Sequence, residues 1–281
     1  MRRKTIFTRI VQILFMVAIV GMVVACSKNT SSDNALGNDV ATKAGAGENT
    51  SVDEASTVAQ DTTGLLSIKY VGNSCFYIKF ADGTRLVTDP YGTSYGSIFG
   101  KFPQMEADVM TISHEHEDHI LGIKDVTGKP KILRLDKLST PVTIGDVEIT
   151  GYDSKHVADL GSNTIFVYKE NGLTVVNMGE TDNIDSPEAL QAIKDADVIL
   201  AYAGEYGTVK NKDSFITLFN LKIKAIIPEH YSNKAESIFY KEPTIDTILT
   251  EIPAGTKVTK TSEFIVKKDL EKQFVALSQM K

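Results

Sequence analysis

The sequence has no tryptophan, two cysteines and five histidines in 281 residues. So little cysteine excludes a disulfide-stapled scaffold. Cys26 ends an N-terminal apolar run, and Cys75 lies in the strand-like stretch "NSCFYIKF", where it reads as a small buried apolar residue. No long basic run occurs, and 30 Lys and Arg face 36 Asp and Glu. A chain without a basic patch is not built for nucleic acid, nor for electrostatic adhesion to anionic lipid. A G-x-S-x-G elbow is also missing, so no serine nucleophile of that kind is on offer. No repeat of short fixed period is visible.

Residues 1–26, "MRRKTIFTRIVQILFMVAIVGMVVAC", carry Arg2, Arg3, Lys4 and Arg9 ahead of an apolar run that ends at small residues and Cys26. A basic start, an apolar middle and a small-residue end make a secretory signal. "VVAC" resembles the lipobox of bacterial lipoproteins, which implies lipidation at Cys26. The alternative, an uncleaved anchor, suits the run less well, because it is short for a span of ~20 residues. Either reading places the folded part outside the cytoplasm, tethered to a bacterial membrane. Loss of the signal's four basic residues lowers the 30 to 26, against 36 acidic residues, a net of −10. Residues 27–63 are rich in Ser, Thr, Asn, Ala, Gly and Asp and have no aromatics. Such a stretch buries too little apolar surface to offset its ordering entropy, and it reads as a flexible linker. Residues 64–281 are long enough for one domain with a sizeable core.

Within that domain, strand-like segments come first: Leu66–Tyr70, Ser74–Phe80 and Arg85–Thr88, with "ADGT" at 81–84 as a hairpin turn. The short apolar strand "ADVMTIS" follows, then "KILRL", "PVTIGDVEITGY" and "NTIFVYKENGLTVVNMG", the last with Asn171-Gly172 as a hairpin signal. The pattern then alternates. "SPEALQAIKDA" reads as a helix capped by Ser186 with Pro187 in its first turn; "DVILAYAG" is a strand, "KDSFITLFNLK" a helix and "IKAIIPEH" a strand. Strands "TKVTK" and "EFIVKKDL" are expected to close the chain. The expectation is an α/β architecture with a large mixed sheet system and helices outside. Several apolar strands end in polar residues: "VMTIS" in "HEHEDH", "LTVVNMG" in "ETD", "AIIP" in "EH". Near-continuous apolar runs are strands buried on both faces, and ligands gather beyond the ends of such strands. His114, His116, Asp118, His119, Glu180, Asp182 and His230 therefore fall on loops able to face one another.

Three of the five histidines crowd into "HEHEDH", residues 114–119. Neutral imidazole and carboxylate are good ligands for zinc and similar divalent ions. His114 and His116, two apart, point the same way in an extended loop and can grip one ion. Asp118 and His119 follow and point to a neighbouring position. Two ions, roughly 3.5–4 Å apart, suit this set better than one.

"HEHEDH" matches the HxHxDH signature of the metallo-β-lactamase superfamily. "YVGNSCFYIKFADGTRLVTDPYG", "HVADLGSNTIFVYKENGLTVVNMGE", "DVILAYAGEYGT" and "AIIPEHY" resemble further segments of that fold in the right order. Together they resemble the branch with ascorbate-6-phosphate lactonase-like and N-acyl-phosphatidylethanolamine phospholipase D-like hydrolases. The resemblance implies a four-layer αββα sandwich. It implies that His114, His116 and His156 hold a first metal, that Asp118, His119 and His230 hold a second, and that position 180 bridges both. The ions implied are zinc, with manganese or iron as alternatives. The family has aspartate at the bridging position where this chain has Glu180, and Asp182 is the alternative bridge. Asp89, in "LVTDPYG", is expected to accept a hydrogen bond from a ligand histidine and set its tautomer. The implied function is hydrolysis of an ester, lactone, amide or phosphodiester in a small-molecule or lipid substrate by a metal-activated water, with Asp118 as the catalytic carboxylate. The competing reading is a non-catalytic metal-binding surface lipoprotein.

Overall fold

A computed structural model describes residues 64–95, 99–134, 140–204, 211–232 and 243–281. The signal segment, Cys26 and the linker 27–63 lie outside the described residues. Among the described residues no helix is long and apolar enough to cross a membrane.

The early strands make a six-stranded sheet. β1 (Leu66–Gly72), β2 (Cys75–Lys79) and β3 (Arg85–Thr88) form an antiparallel meander. The two-residue β4 (Met105–Glu106) and β6 (Val126–Thr127) pair separately, while β5 (Val109–Thr111) and β7 (Lys131–Leu133) extend the sheet in parallel from β3. Two four-residue helices, α1 (Gly92–Tyr95) and α2 (Glu117–Ile120), lie in the connections that leave β3 and β5. They meet through glycine: a Cβ on Gly122 would stand 2.6 Å from the Gly92 nitrogen, so only two glycines allow this approach.

The later chain makes a nine-stranded mixed sheet. β8 (Val142–Ile144), β9 (Val147–His156), β10 (Ser162–Glu170) and β11 (Leu173–Asn177) are antiparallel. Asn171 and Gly172 turn β10 into β11 with φ of 50° and 75°, as Asn-Gly in a hairpin requires. β12 (Thr181–Asn183) pairs with β9 at the edge. Helix α3 (Pro187–Lys194), whose Ser186 side chain accepts from the Ala189 nitrogen, then returns the chain to β13 (Val198–Tyr202), parallel to β11. Helix α4 (Asn211–Phe219) does the same for β14 (Ala225–Glu229). Beyond α5 (Ile245–Leu249), β15 (Val258–Thr261) and β17 (Gln273–Leu277) complete this sheet, and β16 (Phe264–Val266) crosses to pair with β1.

Alternation along the first sheet divides two apolar clusters. Leu66, Ile68, Tyr70, Phe76, Ile78, Leu86 and Val109 join residues of the second sheet, such as Ile165, Val167, Val175, Leu200 and Ile226, in the main core. Their strand neighbours Val71, Cys75, Val87 and Met110 face the other way, into a cluster with Tyr91, Phe99 and Phe102. Ala189, Ile193, Phe215 and Leu218 of α3 and α4 are buried with the main core. The result is two stacked sheets with helices outside, the expected α/β sandwich. Each large side chain so buried contributes roughly 1.5–3 kcal/mol.

The chain end departs from expectation. "EFIVKKDL" is a strand only over Phe264–Val266, and a fully buried strand, Gln273–Leu277, follows it. The charged run 267–272 is a turn between strands of different sheets, so the apolar pattern breaks there. Helix α5 was not anticipated either, being too short for helical periodicity to show.

Candidate metal centre

The polar strand ends meet at one edge of the sandwich. β5 stops at Thr111, and five residues on His116, extended with φ −72° and ψ 151°, opens α2. The switch from extended to helical backbone aims His114 and His116 one way and Asp118 and His119 another. His156 ends β9; Glu180 lies between β11 and β12; His230 follows β14 with φ 56°. His114, His116 and His156 each offer one ligand atom, all within 4.8 Å of one another, and Asp118, His119, Glu180 and His230 make a second such group. All five histidines are thus in the two groups. Asp182, on β12, is in neither.

Glu180 joins the groups. Its Oε1 lies 3.0 Å from Nε2 of both His119 and His230 and 3.6 Å from Nε2 of His114, while Oε2 lies 3.5 Å from Nε2 of His156. Gly179 makes this possible. Its φ is 53°, and a Cβ there would stand 2.5 Å from Asn163 Oδ1 and 2.9 Å from Ser113 Cβ. Asn163 holds the loop: its Oδ1 accepts from the Glu180 nitrogen at 3.1 Å, and its Nδ2 reaches Met178 O at 2.9 Å.

Hydrogen bonds fix how the rings present their nitrogens. His156 Nδ1 lies 2.7 Å from the Val157 carbonyl, so Nδ1 carries the proton and Nε2 is bare. Ser113 Oγ donates to Asp89 Oδ1 at 2.9 Å and accepts from His114 Nδ1 at 3.0 Å, which leaves His114 Nε2 bare as well. These two bare nitrogens face each other at 3.2 Å. Two lone pairs that close repel unless a cation lies against both, so the donor set fits a divalent ion. Asp89, fully buried, accepts from the Ser113 nitrogen at 2.7 Å and lies 3.3 Å from His119 Nδ1, which turns His119 Nε2 toward Glu180.

The electrostatics agree. Burial pushes His114 down, and the neighbouring His119 pushes the same way, so the ring is neutral. Burial also lowers His156. His119 is the exception: burial works against its charged form, yet Asp118, Asp89 and Glu180 outweigh it and push the ring up to about 10. Burial alone would raise Glu180, but His230 and His119 hold it well below the usual carboxylate range. The carboxylates around His119 thus favour positive charge in this pocket.

Asn73 was not anticipated from the sequence. It has φ 57° in the turn from β1 to β2, its Nδ2 lies 3.2 Å from Asp118 Oδ2 and 3.0 Å from the Asp118 carbonyl, and its own carbonyl accepts from the His230 nitrogen. It thus holds two members of the second group. Ser113 and Asn163 were missed too. The only local signals were a serine directly before His114 and an asparagine at a strand start. Glu229, beside His230, is fully buried, and neither of its carboxylate oxygens has a hydrogen-bond partner among the described residues. Burial pushes it up to about 8. Beside the first histidine group a cleft of about 570 Å³ opens, lined by Ile112, His114, His116, Arg134, Leu160 and Thr164 among others.

The Beta-lactamase superfamily domain matches residues 67–230, from the first strand to the last of these histidines. This chain belongs to that family. The superfamily chain is 25% identical over 197 residues to a UPF0173 metal-dependent hydrolase of Methanosphaera stadtmanae, covering 59% of this chain and 84% of the relative. A UPF0173 metal-dependent hydrolase of Caldivirga maquilingensis is 20% identical over 186 residues, covering 59% and 82%. Among solved structures, a Thermotoga maritima protein of the metallo-β-lactamase superfamily matches with TM-score 0.57 and 24% identity, over 75% of this chain and 98% of that one. The metallo-β-lactamase fold protein YhfI of Bacillus subtilis matches with TM-score 0.50 and 14% identity, over 76% and 96%. The fold expected from the motifs is the fold found.

Proposed function

We propose that this chain is a metal-dependent hydrolase, exported and lipid-anchored through Cys26, acting on an ester, lactone, amide or phosphodiester. The observation that carries the reading is Glu180, whose carboxylate spans both histidine groups. The relatives' common description as metal-dependent hydrolases supports it, and the motifs favour the lactonase-like and phospholipase D-like branch. His114, His116 and His156 would hold one divalent ion; Asp118, His119 and His230 would hold another, with Glu180 shared. Zinc suits the imidazole-rich set first, manganese or iron second. Bound there, such ions supply Lewis acidity that lowers the pKa of a water toward ~7 and offsets charge developing on the substrate.

The chain's own residues do the rest. Ser113 holds the His114 proton on Nδ1 and so presents a bare Nε2, and with an ion bound Asp89 would likewise keep the His119 proton on Nδ1, leaving Nε2 to the ion. Asn73 holds Asp118 by Oδ2, which leaves Oδ1 to orient the attacking water and take its proton.

The test is the metal content of the full chain, purified without chelator or added metal, followed by Asp118→Asn. About two equivalents are expected, with hydrolysis of a chromogenic ester or phosphodiester panel. The variant should keep at least one equivalent and lose ~10²-fold or more of the rate. One equivalent with no turnover would favour the metal-binding lipoprotein instead. No metal after reconstitution would overturn the reading.

A further inference from the structure

The cleft beside His114 and His116 has an uneven wall. Arg134 is the only Lys or Arg among the described residues that line it. It follows β7, and its side chain is 26% exposed, against 63% for its partner Glu115. The contact is side-on: Arg134 Nε donates to Glu115 Oε1. That uses one of five N–H donors. The Nη1 and Nη2 atoms make no hydrogen bond among the described residues. A guanidinium fork matches a carboxylate or phosphate through two parallel bonds, and here the matching edge is the unused one. Glu115, largely in solvent, is a flank partner that a ligand need not displace. Leu160, which also lines the cleft, is 59% exposed, the most exposed of the large hydrophobic residues described. It stands on a loop directly after His156 whose Ala158 and Asp159 both have positive φ, 56° and 58°. Non-glycine residues seldom adopt that backbone, and here it sets an apolar side chain at the cleft wall rather than in the core.

We infer that Arg134 binds an oxyanion, carboxylate or phosphate, on the non-reacting part of the substrate, while the bond to be cleaved lies at the His114–His116–His156 group and the carbon chain between them runs along Leu160 and Thr164. The inference rests on the hydrolase reading and narrows its substrate to compounds with an anionic group set apart from the scissile bond. The acidic surface of the domain does not oppose this, because local positive charge decides binding inside a cleft.

The experiment is calorimetric titration of the metal-loaded full chain with succinate, glutarate and adipate, and with valerate as the single-carboxylate control. One carboxylate reaches the metal centre in every case; only the diacids offer a second to Arg134. The best diacid is expected to bind wild type ~10-fold or more tightly than valerate. In Arg134→Ala that gain should shrink to within about twofold, with valerate binding unchanged. Arg134→Lys, which keeps the charge without the fork, should retain part of the gain, and it carries the test if the alanine variant fails to fold. A wild-type chain with no diacid gain overturns the inference, as does an Arg134→Ala chain that keeps the gain; Arg134 and Glu115 are then only a surface ion pair. Metal content, measured before any ligand is added, separates the other failure: a chain without metal overturns the hydrolase reading and this inference with it.

Discussion

Glu180 and Glu229 show how differently one side chain behaves at two strand ends of the same sheet. Glu180 is one methylene longer than the family's aspartate, and the positive-φ glycine before it sets the backbone back against Asn163 and Ser113, so that the longer side chain spans both histidine groups. Its burial is compensated by histidines. At Glu229 the pull of His230 and His119 does not offset burial: the side chain is fully buried with both oxygens unpartnered among the described residues. A buried polar group left unsatisfied costs about 1–3 kcal/mol. Glu229→Met replaces it with an apolar side chain of similar length, and should raise the unfolding free energy of the chain by a comparable ~1–3 kcal/mol. Urea unfolding of both proteins in the same metal state measures it. A loss of stability, accompanied by a loss of bound metal, would instead make Glu229 a supporter of the centre.

At the scale of elements, the centre depends on how strands end. The loop from β11 to β12 must pass between Asn163 and Ser113, and only a residue without Cβ fits there. Gly179→Ala should therefore destabilise the fold by more than ~1 kcal/mol and weaken metal binding, because the carboxylate of Glu180 is carried off its place. Gly83→Ala is the control: its φ is also positive, 94°, but a Cβ there meets nothing within 4 Å, and it lies in the far hairpin. It should cost stability without lowering metal affinity, as chelator competition would show. What was legible beforehand follows the same division. The "ADGT" and Asn171-Gly172 turns, the strand-end clusters and the capped helix at Ser186 are local patterns, and each could be read from adjacent residues. Asn73 serves Asp118 from 45 positions away, and Asn163 serves Glu180 from 17. No periodicity announces such partners. β17 was hidden because its short apolar run directly follows the charged stretch 267–272, into which the expected preceding strand extends.

The whole molecule is a sandwich with two unlike ends. One end carries the candidate metal centre; the other is closed by carboxylates that tie sheet to sheet. Glu170, at the end of β10 in the larger sheet, accepts from the Ala81 and Asp82 nitrogens in the β2–β3 hairpin of the smaller one, at 2.9 and 2.8 Å. Asp82 in return accepts from the Asp146 nitrogen at the β8–β9 turn, 2.7 Å, and from Thr84. Burial nudges Asp82 upward, but these hydrogen bonds prevail and hold it below its ordinary 3.8. The sign of the pH effect follows. A carboxylate held below its unfolded value stabilises the fold in full above that value, and the contribution is lost as the pH falls through the lower, folded value. The two ends should therefore fail in separate windows. Metal should leave first, as the pH falls and protons compete for the ligand imidazoles. The far clasp should open only below 3.8. Asp82→Asn should leave metal content and its pH midpoint unchanged, lower the urea midpoint at neutral pH, and flatten the further fall of that midpoint in the acid window. If wild type and variant lost stability in parallel below 3.8, the acid sensitivity would lie elsewhere, and the hairpin contacts would be packing without an electrostatic share.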